Sequence, residues 1–170
     1  MAAQSSPTFQ FPISAFLRGH AILVDLLGKA EAYAVECKIE PSVLLAARLF
    51  ADMFPLTRQV QLGCDTAKRA TARLAAIEPP SSENNEATFA ELRTRIEKTA
   101  EFLKAHAADA VAGATRTVEF KMGQNTLSLS GTEHIEWFAL PNFYFHLTTA
   151  YNILRHNGVV LGKMDYLGAE

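Results

Sequence analysis

The sequence predicts an all-α fold: a four-helix bundle with a small β-hairpin inserted between the third and fourth main helices. Three observations carry this. Apolar residues recur at spacings of three and four through four long stretches, the signature of one buried helical stripe. The period changes to two only over residues 117–130. Pro-, Ser- and Asn-containing segments punctuate the stretches between. With 170 residues the chain fits a single domain, 1–170, large enough to bury a core.

The first helix is expected from about Ile13 to Cys37, with Ile13, Leu17, His20, Val24, Leu27 and Ala34 as its stripe. Pro41 opens the next element, because proline in a first helical turn gives up no hydrogen bond. Residues Ser42–Phe50 read as helical, and Asp52-Met-Phe-Pro55 breaks or kinks that helix. A second long section runs from Pro55 to about Ala76. Its seam of Leu56, Val60, Gly63, Ala67, Ala70 and Leu74 is rich in small residues, which implies a close neighbour.

Ile77 to Ala87 reads as a linker. Thr88-x-x-Glu91 is a capping box that starts the third main helix, whose stripe is Phe89, Leu92, Ile96, Thr99, Leu103 and His106. Val118, Phe120 and Met122 alternate with polar residues, as do Leu127 and Leu129 after Gly123-Gln-Asn125. This hairpin needs the helices beneath its apolar face. The last main helix fills Thr132 to Asn157, kinked at Pro141 and ended by Gly158. The tail Val159-Val-Leu-Gly-Lys-Met-Asp-Tyr-Leu is apolar enough to pack on the bundle or on a second subunit.

Composition excludes several classes of function. Sixteen basic and 18 acidic residues leave a net charge of −2, which gives no field to attract nucleic acid. No stretch reaches the roughly 18 apolar residues that span a bilayer. The first ten residues carry no leader pattern. Cys37 and Cys64 make no disulfide framework, and Cys64 lacks an adjacent base to activate it. A cytoplasmic location is expected.

The last helix holds three of the five histidines, His134, His146 and His156, and the only tryptophan, Trp137. If Phe143, Leu147, Ala150 and Leu154 face the core, His146 falls roughly 60° to one side, with Asn142 and Thr149 on its flank. His156 then lies on the solvated side. His20 sits in the seam of the first helix. Were the first and last helices antiparallel neighbours, His20 and His146 would lie within roughly two turns and share a cavity. His106 reads as a helix C-terminal cap. The chain has no H-x-x-x-H or C-x-x-C, so no metal and no cofactor are expected.

Three segments carry a resemblance: D-M-F-P-L-T-R-Q-V-Q (52–61), N-N-E-A-T-F-A-E-L (84–92) and F-A-L-P-N-F-Y-F-H-L-T-T-A-Y-N-I-L-R-H-N-G-V-V-L-G-K (138–163). In this order the chain resembles a bacterial domain-of-unknown-function family among the DinB/YfiT-like four-helix bundles. The resemblance implies a compact bundle, usually a homodimer. Better-known relatives in the wider superfamily carry a three-histidine metal site, with one ligand from the second helix and an H-x-x-x-H on the last, and some are thiol-cofactor-dependent transferases or isomerases. Here that motif becomes Asn142-x-x-x-His146, and Gln59 stands at the matching position on the second helix. Two neutral amides make a poor zinc or nickel site.

The expected function is binding of a small polar ligand in a cleft lined by Gln59, Asn142 and His146, with His20, Trp137 and Tyr144 around it. In an enzyme version His146 would be the catalytic acid/base. One alternative is a dimeric structural or stress-response protein without catalysis. Another is a metal-dependent or thiol-cofactor-dependent transferase.

Overall fold

The computed structural model describes residues 11–168; the first ten, where no leader is expected, lie outside the described residues. The elements are α1 (Phe11–Glu36), α2 (Pro41–Ala46), α3 (Leu56–Ala75), α4 (Phe89–Ala105), α5 (Ala107–Ala112), β1 (Thr117–Met122), β2 (Asn125–Ser130), α6 (Gly131–Glu133), a π-helical turn (His134–Ala139), α7 (Leu140–His156) and α8 (Lys163–Leu167). The four long helices α1, α4, α3 and α7 form a ring in which each packs against two neighbours.

Local contacts set the directions. The side chains of Phe143 and Leu147 face Gly19, and Tyr33 faces Gly158, so α1 and α7 run parallel. The antiparallel condition under which His20 and His146 would share a cavity is therefore not met. Gln61 meets Glu86, Asp65 meets Arg95 and Gly113 closes on Leu74, so α3 and the α4 limb also run parallel. The segment 77–88 must therefore return along the bundle. A 20-residue helix is about 30 Å long, which a dozen extended residues can span.

Helix starts follow their sequence signals. Thr88 Oγ1 accepts from Glu91 N at 3.2 Å, and Glu91 Oε2 accepts from Thr88 N at 3.0 Å, closing the expected capping box. Ser130 and Glu133 close a second one at the start of the last helical segment. The helix expected over Ser42–Phe50 ends at Ala46 instead. Leu56 N donates to Ala47 O at 2.9 Å and Thr57 Oγ1 to Leu45 O at 3.1 Å, so α3 captures the carbonyls that would have continued α2.

The predicted α3 seam is buried throughout. On α1 the buried stripe is Ile13, Phe16, His20, Leu23, Leu27, Ala30 and Ala34, while Leu17 and Val24 lie half-buried at its edge. The shift arises because α1 touches α4, α7 and α8 and buries a broad face. Val118 and Phe120 lay the hairpin on the bundle, whereas Met122 is exposed. Met122 pairs with Asn125, so the loop has two residues, and Gly123 takes the positive φ of 62°.

The expected kink at Pro141 takes the form of the π-helical turn just before it. Proline lacks an N–H and its ring crowds the carbonyl four residues back, and a wider turn relieves both. The C-terminal arm packs on the bundle. Arg18 donates to Leu167 O at 2.6 Å, Lys29 pairs with Asp165, and the hydroxyls of Thr148 and Tyr166 are 2.9 Å apart. Among the described residues no helix is long and apolar enough to cross a membrane.

Candidate functional site

The α3–α7 seam brings Gln59 and His146 together. The two helices pack closely here: a methyl added at Gly63 would stand in ordinary contact, 3.9 Å from His146 Cβ. His146 Nδ1 is 2.8 Å from Gln59 Oε1. Gln59 Nε2 donates to Phe54 O at 3.0 Å. A carbonyl can only accept, so this bond fixes which end of the amide faces the ring. Oε1 must then accept from Nδ1–H, and neutral His146 presents a lone pair on Nε2.

His146 is buried, and burial together with the nearby Arg58 cation lowers its pKa to about 4. It is neutral at physiological pH. Unlike the ring nitrogens of His20 and His134, its Nε2 is not among the sealed atoms lacking a partner. Arg58 itself lies 5.9 Å from the Phe54 ring and donates to Gln61 Oε1 at 3.1 Å. Phe145 meets the His146 ring edge-on at 5.4 Å.

The other expected site residues separate from this pair. Asn142 lies on the same seam but donates to Thr66 Oγ1 at 3.3 Å. His20 is sealed beside Phe143, ring centroids 5.2 Å apart, and no hydrogen bond or ring contact joins it to His146. Burial takes its pKa down to about 4, partly offset by the backbone at Phe16. The shared cavity is therefore replaced by packed side chains, because the Phe143 ring fills the space against His20. Tyr144 turns toward the other side of α7, where burial and Tyr166 raise its pKa. Trp137 is 65% exposed on the π-helical turn. His156 is exposed, and His106 occupies the C-cap of α4 as expected, its ring 4.6 Å from Phe102.

The donor set does not fit the metal of the wider superfamily. Gln59 Oε1 is taken by His146, the Asn142 amide by Thr66, and the Arg58 charge opposes a second cation. Among the described residues no three His, Cys, Asp or Glu side chains gather into a possible metal-binding group. Cys64 is likewise inert as a nucleophile, since burial pushes its thiol up to about 12.

A second polar cluster was missed in the sequence. Gln61, Asp65 and Lys68 share one face of α3, and Arg95 of α4 reaches it. Arg95 donates to Asp65 Oδ1, Glu86 Oε1 and Glu83 O at 2.8, 2.8 and 2.9 Å. The i, i+4, i+7 spacing of the α3 members within an Ala-rich helix was the available signal.

The fold and this seam define a helical bundle carrying a neutral histidine–amide pair between antiparallel α3 and α7. Residues 9–167 match the family described as Domain of unknown function (DUF1993), and the chain belongs to that family. It is similar to a solved structure, a DinB family member protein from Shewanella denitrificans. The two share 42% sequence identity over 96% of this chain and 93% of that chain, with a TM-score of 0.86. No curated protein matches.

Proposed function

We propose that the chain binds a small polar ligand at the α3–α7 seam, with His146 Nε2 accepting a hydrogen bond from it. One observation carries this reading: the Phe54–Gln59–His146 chain fixes the imidazole tautomer and leaves an acceptor without a partner among the described residues. Arg58 beside it supplies positive charge for a ligand that also bears an acceptor or an acidic group. Binding is favoured over acid–base catalysis. With a pKa of about 4, roughly one ring in a thousand is protonated at pH 7, and so weak a base abstracts protons poorly. A thermal-shift screen against polar metabolites tests the reading. Ligands that raise the melting temperature of the wild type should lose that effect in His146→Ala; if every shift persists, the site is elsewhere.

A second reading is a homodimer without turnover. Its support is the exposure of three large aromatic side chains, Trp137, Phe145 and Phe54, at 65%, 55% and 56%. Val160 and Met164 of the arm are also exposed. Gel filtration of the full chain and of a chain ending at Gly158 tests it. A monomeric full chain overturns the reading, and an unaltered dimer after truncation removes the arm from the interface.

A further inference from the structure

A cleft of about 550 Å³ opens between α3, α4 and the returning segment 77–88, within the range of small-molecule sites. The carboxylates on its wall and Asp65 behind it are largely engaged. Glu86 accepts from Arg95 through Oε1 and from Gln61 through Oε2, both at 2.8 Å. Asp65 Oδ1 accepts from Arg95 and faces Lys68 Nζ at 3.5 Å. Glu91 Oε2 caps α4, and Glu83 Oε2 accepts from Asn85 at 3.0 Å. The Thr94 and Thr99 hydroxyls donate to carbonyls of their own helix.

Donors remain in surplus. Lys68 is 6% exposed and carries three N–H bonds, but among the described residues it meets only Ser82 Oγ at 2.5 Å and Asp65 at the longer distance. Lys98, also on the cleft wall, has no hydrogen bond or ion pair among the described residues. Arg95 Nε–H is buried without an acceptor in the same cluster. A buried cation with unmet donors is costly, and an incoming acceptor group relieves it.

We propose that this cleft is a binding site for a small organic anion, a carboxylate or a phosphate monoester. Lys68 and Lys98 take up its charged group, the Ser81 and Ser82 hydroxyls add hydrogen bonds, and Phe102 lies against its body. The site is separate from the His146 seam and does not depend on that reading.

The test is an NMR titration of amide shifts in the full chain with inorganic phosphate, succinate and putrescine, using sodium chloride at matched ionic strength as the reference. Saturable shifts confined to residues 67–69, 81–86 and 94–102 are expected with at least one anion; the anion that saturates identifies the headgroup. Lys98→Gln should weaken binding roughly tenfold, the loss expected for one charge-assisted hydrogen bond. Lys163→Gln, which removes one exposed charge from α8, should leave it unchanged. Shifts that fail to saturate, equal affinity in Lys98→Gln, or saturation by putrescine at these amides would overturn the proposal.

Discussion

Gln59 Oε1 and His146 Nδ1 stand 2.8 Å apart across the α3–α7 seam, 87 residues apart in the chain. This contact makes His146 a fixed neutral acceptor instead of a free imidazole. It also ties the start of α3, through the Phe54 carbonyl, to the middle of α7.

Replacing Gln59 by Glu puts a carboxylate where the amide oxygen stands. The pKa of His146 should then rise from about 4 by one unit or more, because an adjacent negative charge favours the imidazolium. Histidine NMR titration reads this directly. A pKa that stays near its starting value would mean that the two side chains do not meet in solution.

Stability should fall as the solution is acidified below neutrality. His20, His134 and His146 have folded-state pKa values near 4, set first by burial, against 6.5 when unfolded. Their contribution is present above pH 6.5 and is lost as pH falls from 6.5 toward 4, where only the unfolded state takes up protons. For sealed His20 alone the loss is about 3 kcal/mol. Glu86, Glu91, Glu133 and Asp165, whose pKa values are lowered, add their losses only below the ordinary carboxylate range. Urea midpoints at pH 7, 5.5 and 4.5 should decrease in order, and a flat series between 7 and 5.5 contradicts this.

Arg95→Ala should cost about 3–5 kcal/mol, since it strips the main partner from buried Asp65. It also removes the bonds to Glu83 O and Glu86 that hold the 77–88 segment down. Limited proteolysis should gain a cut within that segment. A loss under about 1 kcal/mol with an unchanged digest would show that the cluster holds nothing in place.

Two glycines should respond oppositely to alanine. At Gly19 a methyl runs into the Phe143 ring, which is held by Phe16 and His20 with centroids 5.1 and 5.2 Å away. Overpacking there should cost about 1–3 kcal/mol. At Gly63 the nearest atoms are 3.9 Å away, ordinary contact. Gly63→Ala should therefore be neutral or stabilising by up to about 1 kcal/mol, the helix-propensity gain. Chemical denaturation of both variants decides the pair.

Properties that repeat or cap locally were legible in the chain alone. The α3 seam, the α7 core stripe of Phe143, Leu147, Ala150 and Leu154, the Thr88–Glu91 box and the hairpin are all short-range patterns. His146 beside the core followed from helical phase alone. The family, too, was legible in its segments. Which helices run parallel emerged only from their packing, because stripe phase carries no information about the direction of a neighbour. The packed bundle set the Phe143 ring against His20 and put Tyr144 near Tyr166. It also brought Arg95 to Asp65, a pairing of residues thirty positions apart that no local pattern encodes. A histidine's phase places it at the core's edge, but its charge and tautomer depend on the side chain that the opposite helix presents.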